Sequence, residues 1–443
     1  MARAHSLSVN PVAPRILSPD QHPIAPASIS PGARQVAETL QDAGHDGLLV
    51  GGCVRDLMLG REPKDFDVVT DARPETIRRL FRRARLIGRR FRLAHVRVGR
   101  EIIEVATYRA QPGNGDEGAA DTPEGRVLAD NVYGTQEEDA LRRDFTVNAL
   151  YYDPRRGTVI DYVDGMGDLD AGRLRVIGDP ERRLREDPVR MLRAVRFAAK
   201  LGFQIDPAVA ELIPRLAHLI QTVPPARLFE EVLKLFHGGY ALETYELLRH
   251  YHLFEQLFPL TETSLASEAD GFPRTLLARA LENTDRRIQA GKPVTPAFLF
   301  AALLWEPVRQ EARRLMDEEG ESWLGALQRA GERVIREEVE YVSIPRRFSL
   351  PAREIWTLQA RLARRQGGRA YRLLEQKRFR AGYDFLLLRA ETGEEEPELA
   401  QWWTRFQEVD ARERERMLQA LGGGGGGRRR RRRPRRRKAA ASS

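Results

Sequence analysis

The sequence predicts an α+β fold: a head of mixed sheet and helices, then an all-α neck and body, with disordered termini. Three observations carry this. Between residues 31 and 160, short apolar runs alternate with glycine turns and short helical stretches. From Ala208 onward apolar residues recur at helical spacing almost throughout, as in AVAELIPRLAHLI and PARLFEEVLKLF. The ends are biased: Pro, Ala and Ser dominate up to about Ser30, and a glycine run from Gly422 to Gly427 leads into an arginine run. The expected divisions are a disordered segment at 1–30, the head at 31–160, a neck at 161–260, a helical arginine-rich body at 261–421, and a Gly linker with a basic tail at 422–443.

The first helix is Pro31 to Ala43, with Pro in its first turn and Val36, Leu40 and Ala43 on one face. Leu48-Leu49-Val50 reads as a buried strand against which that helix packs. Gly51-Gly52 turns the chain, CVRDLML makes one or two helical turns, and Gly60 stops them. Asp65 to Val69 reads as a second strand, so Asp65 and Asp67 face the same way. Adjacent carboxylates repel unless a cation lies between them. Mg²⁺ suits such a site because it takes oxygen ligands and brings substrate phosphates with it. The glycine turn lets phosphates approach backbone N–H groups. Together these residues point to metal-dependent nucleotidyl transfer.

Arg73 to Arg83 reads as a helix with Ile77, Leu80 and Phe81 inward, its arginines on a solvated face or against RNA. Arg85 to Val98 is strand material around Gly88, and Glu101 to Arg109 is another strand. Glu104 stands between Ile103 and Val105, so its face is exposed or it has an acidic site to join. Gln111 to Arg126 is Gly- and Asp-rich, a loop. Glu137 to Leu150 reads as a helix that puts Asp144 and Asn148 on one face. Asp161 to Leu169 is a glycine-containing turn. Arg182 to Gly202 reads as a helix capped by Asp187 and Pro188, with Asp187 and Arg190 side by side. That pair can offer an acceptor and a forked donor to a base edge. Arg193 and Arg196 extend a basic stripe toward phosphates or solvent.

Ser264 to Gly271 reads as a loop and Ile344 to Phe348 as a linker. Helices are expected at Pro273–Gly291, Pro296–Leu315, Leu324–Val342, Arg353–Arg364 and Arg369–Arg378, with GYDFLLLRAETG closing the body. The only cysteine, Cys53, excludes an internal disulfide and fits a reducing cytoplasm. Arg428 to Lys438 holds ten basic residues, and taking them from the net charge of +9 leaves −1. The excess charge is therefore an arm for RNA or another polyanion, salt-sensitive and indifferent to sequence. The run AFLFAALLW is too short to span a bilayer, and no secretory leader is recognisable, so a cytoplasmic protein is expected.

The compound pattern GGCVRD, then Leu59-Gly60, then KDFDVVT resembles the head of the polymerase-β-like nucleotidyltransferases, in the branch shared by bacterial poly(A) polymerases and class II CCA-adding enzymes. IGRRFRLAHV resembles a signature that separates the poly(A) polymerases. The resemblance implies that Asp65 and Asp67 hold two Mg²⁺ ions (Mn²⁺ can substitute), with Glu104 as a third carboxylate. It implies that Gly51, Gly52 and Arg55 cradle the triphosphate of ATP. Arg143, Asp144 and Asn148 match an RRDFTxNA element that handles the nucleotide, with Asp144 catalytic. Glu186, Asp187 and Arg190 match an EDxxR element that selects the base, and PPARLFEEVLKLF resembles an RNA-binding neck. The implied activity is template-independent addition of AMP from ATP to the 3′ ends of mRNA, small RNAs or tRNA precursors. CCA addition to tRNA and non-catalytic RNA binding are the alternatives.

Overall fold

The computed structural model describes residues 13–88, 92–110, 132–266 and 276–422. Outside them lie the Gly- and Asp-rich loop after Gln111, part of the IGRRFRLAHV stretch, most of the loop expected at Ser264–Gly271, and the glycine linker with its basic arm.

The head is built on one eight-stranded sheet. Its strands are β1 (Arg15–Leu17), β2 (Leu48–Val50), β3 (Asp67–Thr70), β4 (Ala84–Ile87), β5 (Leu93–Val98), β6 (Glu101–Thr107), β7 (Leu150–Asp153) and β8 (Thr158–Asp161). The spatial order is β1-β8-β7-β2-β3-β6-β5-β4. The sheet is mixed: β3 and β6 run parallel and the other neighbours antiparallel. The helices around it are α1 (Pro31–Asp42), α2 (Gly52–Met58), α3 (Pro74–Leu80) and α4 (Gln136–Arg142). Ser30 caps α1 by accepting the N–H of Ala33, and α1 buries Ala33, Val36, Ala37 and Leu40. Here the 3.6-residue period of the sequence becomes a packed face.

Gly47 shows how closely α1 approaches the chain entering β2. A Cβ at this position would stand 2.9 Å from the carbonyl carbon of Ala37 and nearer still to its oxygen. Backbone cannot yield as a side-chain tip can. Gly47→Ala is therefore expected to destabilise the chain by about 1–3 kcal/mol through overpacking. A urea titration of the two proteins checks this, with an unchanged midpoint as the opposing result.

Several boundaries differ from the sequence expectation. Residues up to Ser30 were expected to be disordered, yet Arg15–Leu17 pairs with β8 and Leu17, Ile24 and Ile29 are buried. Three apolar anchors scattered through a Pro- and Ser-rich stretch suffice to hold it. The second strand begins at Asp67, so Asp65 lies in the bend before it rather than one pleat along. The helix expected over Glu137–Leu150 ends at Arg142. A 3₁₀ turn at Thr146–Asn148 and strand β7 follow. Asp161–Leu169, expected as a turn, contains helix α5 (Gly165–Asp170), whose first N–H groups are met by the Asp161 carboxylate.

Beyond the sheet come α6 (Pro180–Glu186) and α7 (Val189–Leu201), separated by Asp187 and Pro188 where one helix was expected. Helices α8 (Pro207–Leu216), α9 (Pro225–Phe236) and α10 (Ala241–His250) follow. All belong to a compact unit made of residues up to Thr263 with Leu281–Pro293 and Glu338–Ser343. The second unit is helical, and its core is organised by tryptophans. Trp305, Trp356 and Trp403 are buried, and each indole N–H has an acceptor: Glu394, the Ala301 carbonyl and the Leu362 carbonyl. Its helix Arg346–Leu362 starts where a linker was expected, with Pro345 at the N-cap. Among the described residues no helix is long and apolar enough to cross a membrane.

Candidate active site

The glycine turn follows β2 directly. Gly51 adopts φ 76° and ψ −129°, a conformation that a side chain rarely tolerates. Its N–H bonds to the Leu150 carbonyl at 3.1 Å, which ties the turn to the start of β7. The position of a Cβ on Gly51 would lie 3.3 Å from Nη1 of Arg143, so the turn and this guanidinium are neighbours.

Asp67 opens β3. In the parallel register it stands opposite Glu104 of β6, and Glu104 stands opposite His95 of β5. One row of side chains thus crosses three strands. His95 Nε2 lies 3.1 Å from Glu104 Oε1. Burial, the Glu104 charge and the Asp65 charge push the Asp67 carboxyl up to about 6, against the pull of Arg143. Glu104 is exposed, as its place between buried Ile103 and Val105 requires.

Arg143 is anchored from behind. Its Nη2 donates to Asp139 Oδ2 at 2.9 Å, and the Tyr151 hydroxyl donates to the same oxygen at 2.9 Å. Burial disfavours its charge, but Tyr151 and Asp139 raise its pKa overall, so Arg143 is a fixed cation. Neither Asp139 nor Tyr151 stood out in the sequence. An acidic residue four before an arginine on a helix was the available signal.

Two residues expected to touch the nucleotide are turned inward. Arg55 is 2% exposed; it donates to Asp56 at 2.8 and 2.6 Å and to Asn148 Oδ1 at 2.5 Å, and it lies over the Phe197 ring. Its guanidinium lies under the turn, 3.6 Å from where a Cβ on Gly52 would stand. Asn148 in turn donates to Asp144 Oδ1 at 3.3 Å. Asp144 also accepts the Phe145 N–H at 2.8 Å and a two-pronged bond from Arg193, the Nε branch at 2.7 Å. Burial would raise its pKa, but Arg193 and these donors hold it at about 2. Asp144 and Asn148 thus form a hydrogen-bonded chain that reaches Arg193 of α7, although they share no helix. Arg193, expected on an open basic stripe, is its anchor.

Glu186, Asp187 and Arg190 gather at the junction of α6 and α7. Glu186 accepts from Arg183 at 2.7 Å and Arg190 at 3.3 Å. Asp187 accepts the Val189 N–H at 3.3 Å and Arg227 of α9 at 2.8 Å. Arg190 Nη1 donates to the Arg183 carbonyl at 2.7 Å. Asp187 and Arg190 are therefore held by different partners and do not pair side by side as expected. Arg183 was not singled out in the sequence. It is buried and donates to the carbonyls of Arg142 and Arg143 at 2.5 and 2.7 Å, fixing the end of α4.

No three His, Cys, Asp or Glu side chains close into a metal cage among the described residues. Mg²⁺ does not require one, since one or two carboxylates and substrate phosphates complete its shell. The crowding of negative charge on Asp67 is what such a cation would relieve, so the donor set fits.

Carboxylates at a strand start, beside a glycine turn with a fixed arginine, put this head among the nucleotidyltransferases. Residues 48–175 match the family described as "Poly A polymerase head domain", 202–265 "Probable RNA and SrmB- binding site of polymerase A", and 319–437 "Polymerase A arginine-rich C-terminus". The chain is 50% identical over 412 residues to poly(A) polymerase I of Salmonella typhi, covering 92% of this chain and 88% of that one. The CCA-adding enzyme of Bacillus pumilus is 34% identical over 243 residues, covering 55% and 58%. A solved tRNA-processing enzyme in its apo form shares the fold at TM-score 0.58 and 22% identity, over 87% of this chain and 99% of that one. The chain belongs to the poly(A) polymerase I family and is a polynucleotide adenylyltransferase.

Proposed function

We propose that the enzyme transfers AMP from ATP to RNA 3′ ends at the row formed by Asp67 and Glu104, with Asp65 in the bend beside them. Divalent cations held there, two Mg²⁺ in the full site or Mn²⁺ in their place, would neutralise the triphosphate and lower the pKa of the attacking hydroxyl. The chain's own residues do the rest. With the Gly51 N–H taken by Leu150, the Gly51–Gly52 turn would offer phosphate the backbone N–H groups that follow it at the start of α2. Arg143, locked by Asp139 and Tyr151, supplies a positive charge that needs no reorganisation during transfer. Arg55, Asn148 and Asp144 keep turn and sheet in register, and Glu186, Asp187 and Arg190 select adenine at the α6–α7 junction.

The observation that carries the reading is the charge crowding at Asp67 beside a fixed arginine. The proposed organisation is a head up to residue 160 that includes the strand Arg15–Leu17, neck 161–260, body 261–421, and a Gly linker with a basic arm at 422–443 that binds RNA phosphates in the cytoplasm. mRNA, small RNAs and tRNA precursors are its proposed substrates. The test supplies each nucleotide, singly and mixed, with generic RNA and with truncated tRNA. Long tails from ATP alone are expected. Incorporation of CTP and then ATP that stops at CCA would point to tRNA end repair instead.

A further inference from the structure

In the second unit a cavity of about 320 Å³ opens where the helices Trp323–Glu338, Arg346–Leu362 and Arg369–Leu374 meet. Arg361, Arg364, Arg369 and Arg372 line it, and no acidic residue does. Among the described residues none of these four guanidiniums forms an ion pair. Other arginines of the same region are paired: Arg353 with Glu332 at 3.5 Å, Arg378 with Glu354 at 3.4 Å, Arg380 with Asp384 at 2.9 Å. The four at the cavity stand together without a carboxylate among them, Arg364, Arg369 and Arg372 being exposed, so their donors are open to an anion from solvent. Leu324, Ala360 and Leu373 add apolar wall, and Gln376 adds an amide with both donors and an acceptor.

We propose that this cavity binds one nucleotide of single-stranded RNA together with its flanking phosphates. The volume suits one nucleotide and lies at the low end for ligand cavities. Forked guanidiniums match phosphate oxygens in pairs, so four of them match the two phosphates on either side of one residue. Apolar wall beside arginine planes is the environment in which unstacked bases settle, with little dependence on sequence. The inference rests on RNA being the substrate, but it concerns grip on the strand and not transfer chemistry. A free nucleotide carries the same phosphates, so the test separates the two.

The test uses the full chain with Arg364→Gln and Arg372→Gln combined, alongside Arg364→Lys with Arg372→Lys. Binding of fluorescent oligo(A) is followed across a salt series. The Gln variant should lose about tenfold in affinity, and its log–log salt slope should flatten by roughly 1.4, at about 0.7 per lost phosphate contact on a single strand. The Lys variant should keep the slope and lose part of the affinity, since charge survives without the fork. RNA carrying 4-thiouridine should cross-link to the peptide spanning Arg361–Gln376. A wild-type slope in the Gln variant, or cross-links confined to other peptides, overturns the proposal. So does displacement of that cross-link by ATP but not by unlabelled oligo(A), which would mark a free-nucleotide site. AMP incorporation at saturating RNA should persist in both variants, so the transfer reading stands or falls separately.

Discussion

Asp67→Asn is expected to lower AMP incorporation by about three orders of magnitude while leaving the head folded. The change keeps the shape of the side chain and removes the charge. Several kcal/mol of transition-state stabilisation from metal-held phosphates corresponds to roughly that factor, at about 1.4 kcal/mol per decade. Stability should move in the opposite direction. The Asp67 carboxyl is raised to about 6, first by burial and then by Glu104 and Asp65. Its folded-state pKa thus lies above its ordinary value of 3.8, so the folded chain holds this proton more tightly than the unfolded one. The stability this contributes is complete below the ordinary value and disappears as the pH rises through about 6. The Asn variant should therefore melt above the wild type at about pH 8 and lose that advantage near pH 4. Added Mg²⁺ should raise the melting temperature of the wild type above pH 6 and leave the variant unchanged. Calorimetry over pH, with and without Mg²⁺, gives a readout independent of turnover. A variant that still incorporates AMP at close to the wild-type rate would remove Asp67 from the site.

The contrast between Asp67 and Asp144 marks how far the sequence could be read. Glu104 was legible because buried Ile103 and Val105 force it onto the other face of β6, and the parallel register then sets it opposite Asp67. Gly51 was legible because its turn demands positive φ. The expected helix through Asp144 failed for a non-local reason. Arg183, forty residues on, takes the carbonyls of Arg142 and Arg143, so the chain can leave the helix there without stranding them in the core. No local window contains that partner. The same limit applies to Arg55 and Arg193. A sequence displays their charge, but an arginine has five donors and the fold decides which carboxylate or amide receives them. Arg55 proved to be a buried strut and Arg193 a half-buried one, each lying over the Phe197 ring. The four arginines that gather at the cavity of the body were equally hidden, because a sequence does not show which guanidiniums the fold brings to one place.

Arg193→Ala should be the most damaging substitution for stability, at about 3–5 kcal/mol, because it leaves the Asp144 carboxylate buried without its cation. The wild-type pair holds Asp144 at about 2, below its ordinary 3.8. Its contribution is present above the ordinary value and lost only as the pH falls through about 2. In the variant, burial is no longer outweighed and the carboxyl pKa should rise, so protonation relieves the strain on acidification. The gap between the two proteins, read by urea unfolding, should therefore be widest near neutral pH and narrow toward about pH 4. Arg193→Lys keeps the charge and should recover part of the loss. Kinetics then separates positioning from chemistry. If Asp144 only holds Asn148 and the glycine turn in register, Asp144→Asn should retain far more turnover than Asp67→Asn, and its defect should fall mainly on the KM for ATP. If Asp144 instead reacts or binds metal directly, Asp144→Asn should lose kcat as severely as Asp67→Asn, and the Lys rescue at position 193 should restore stability without activity.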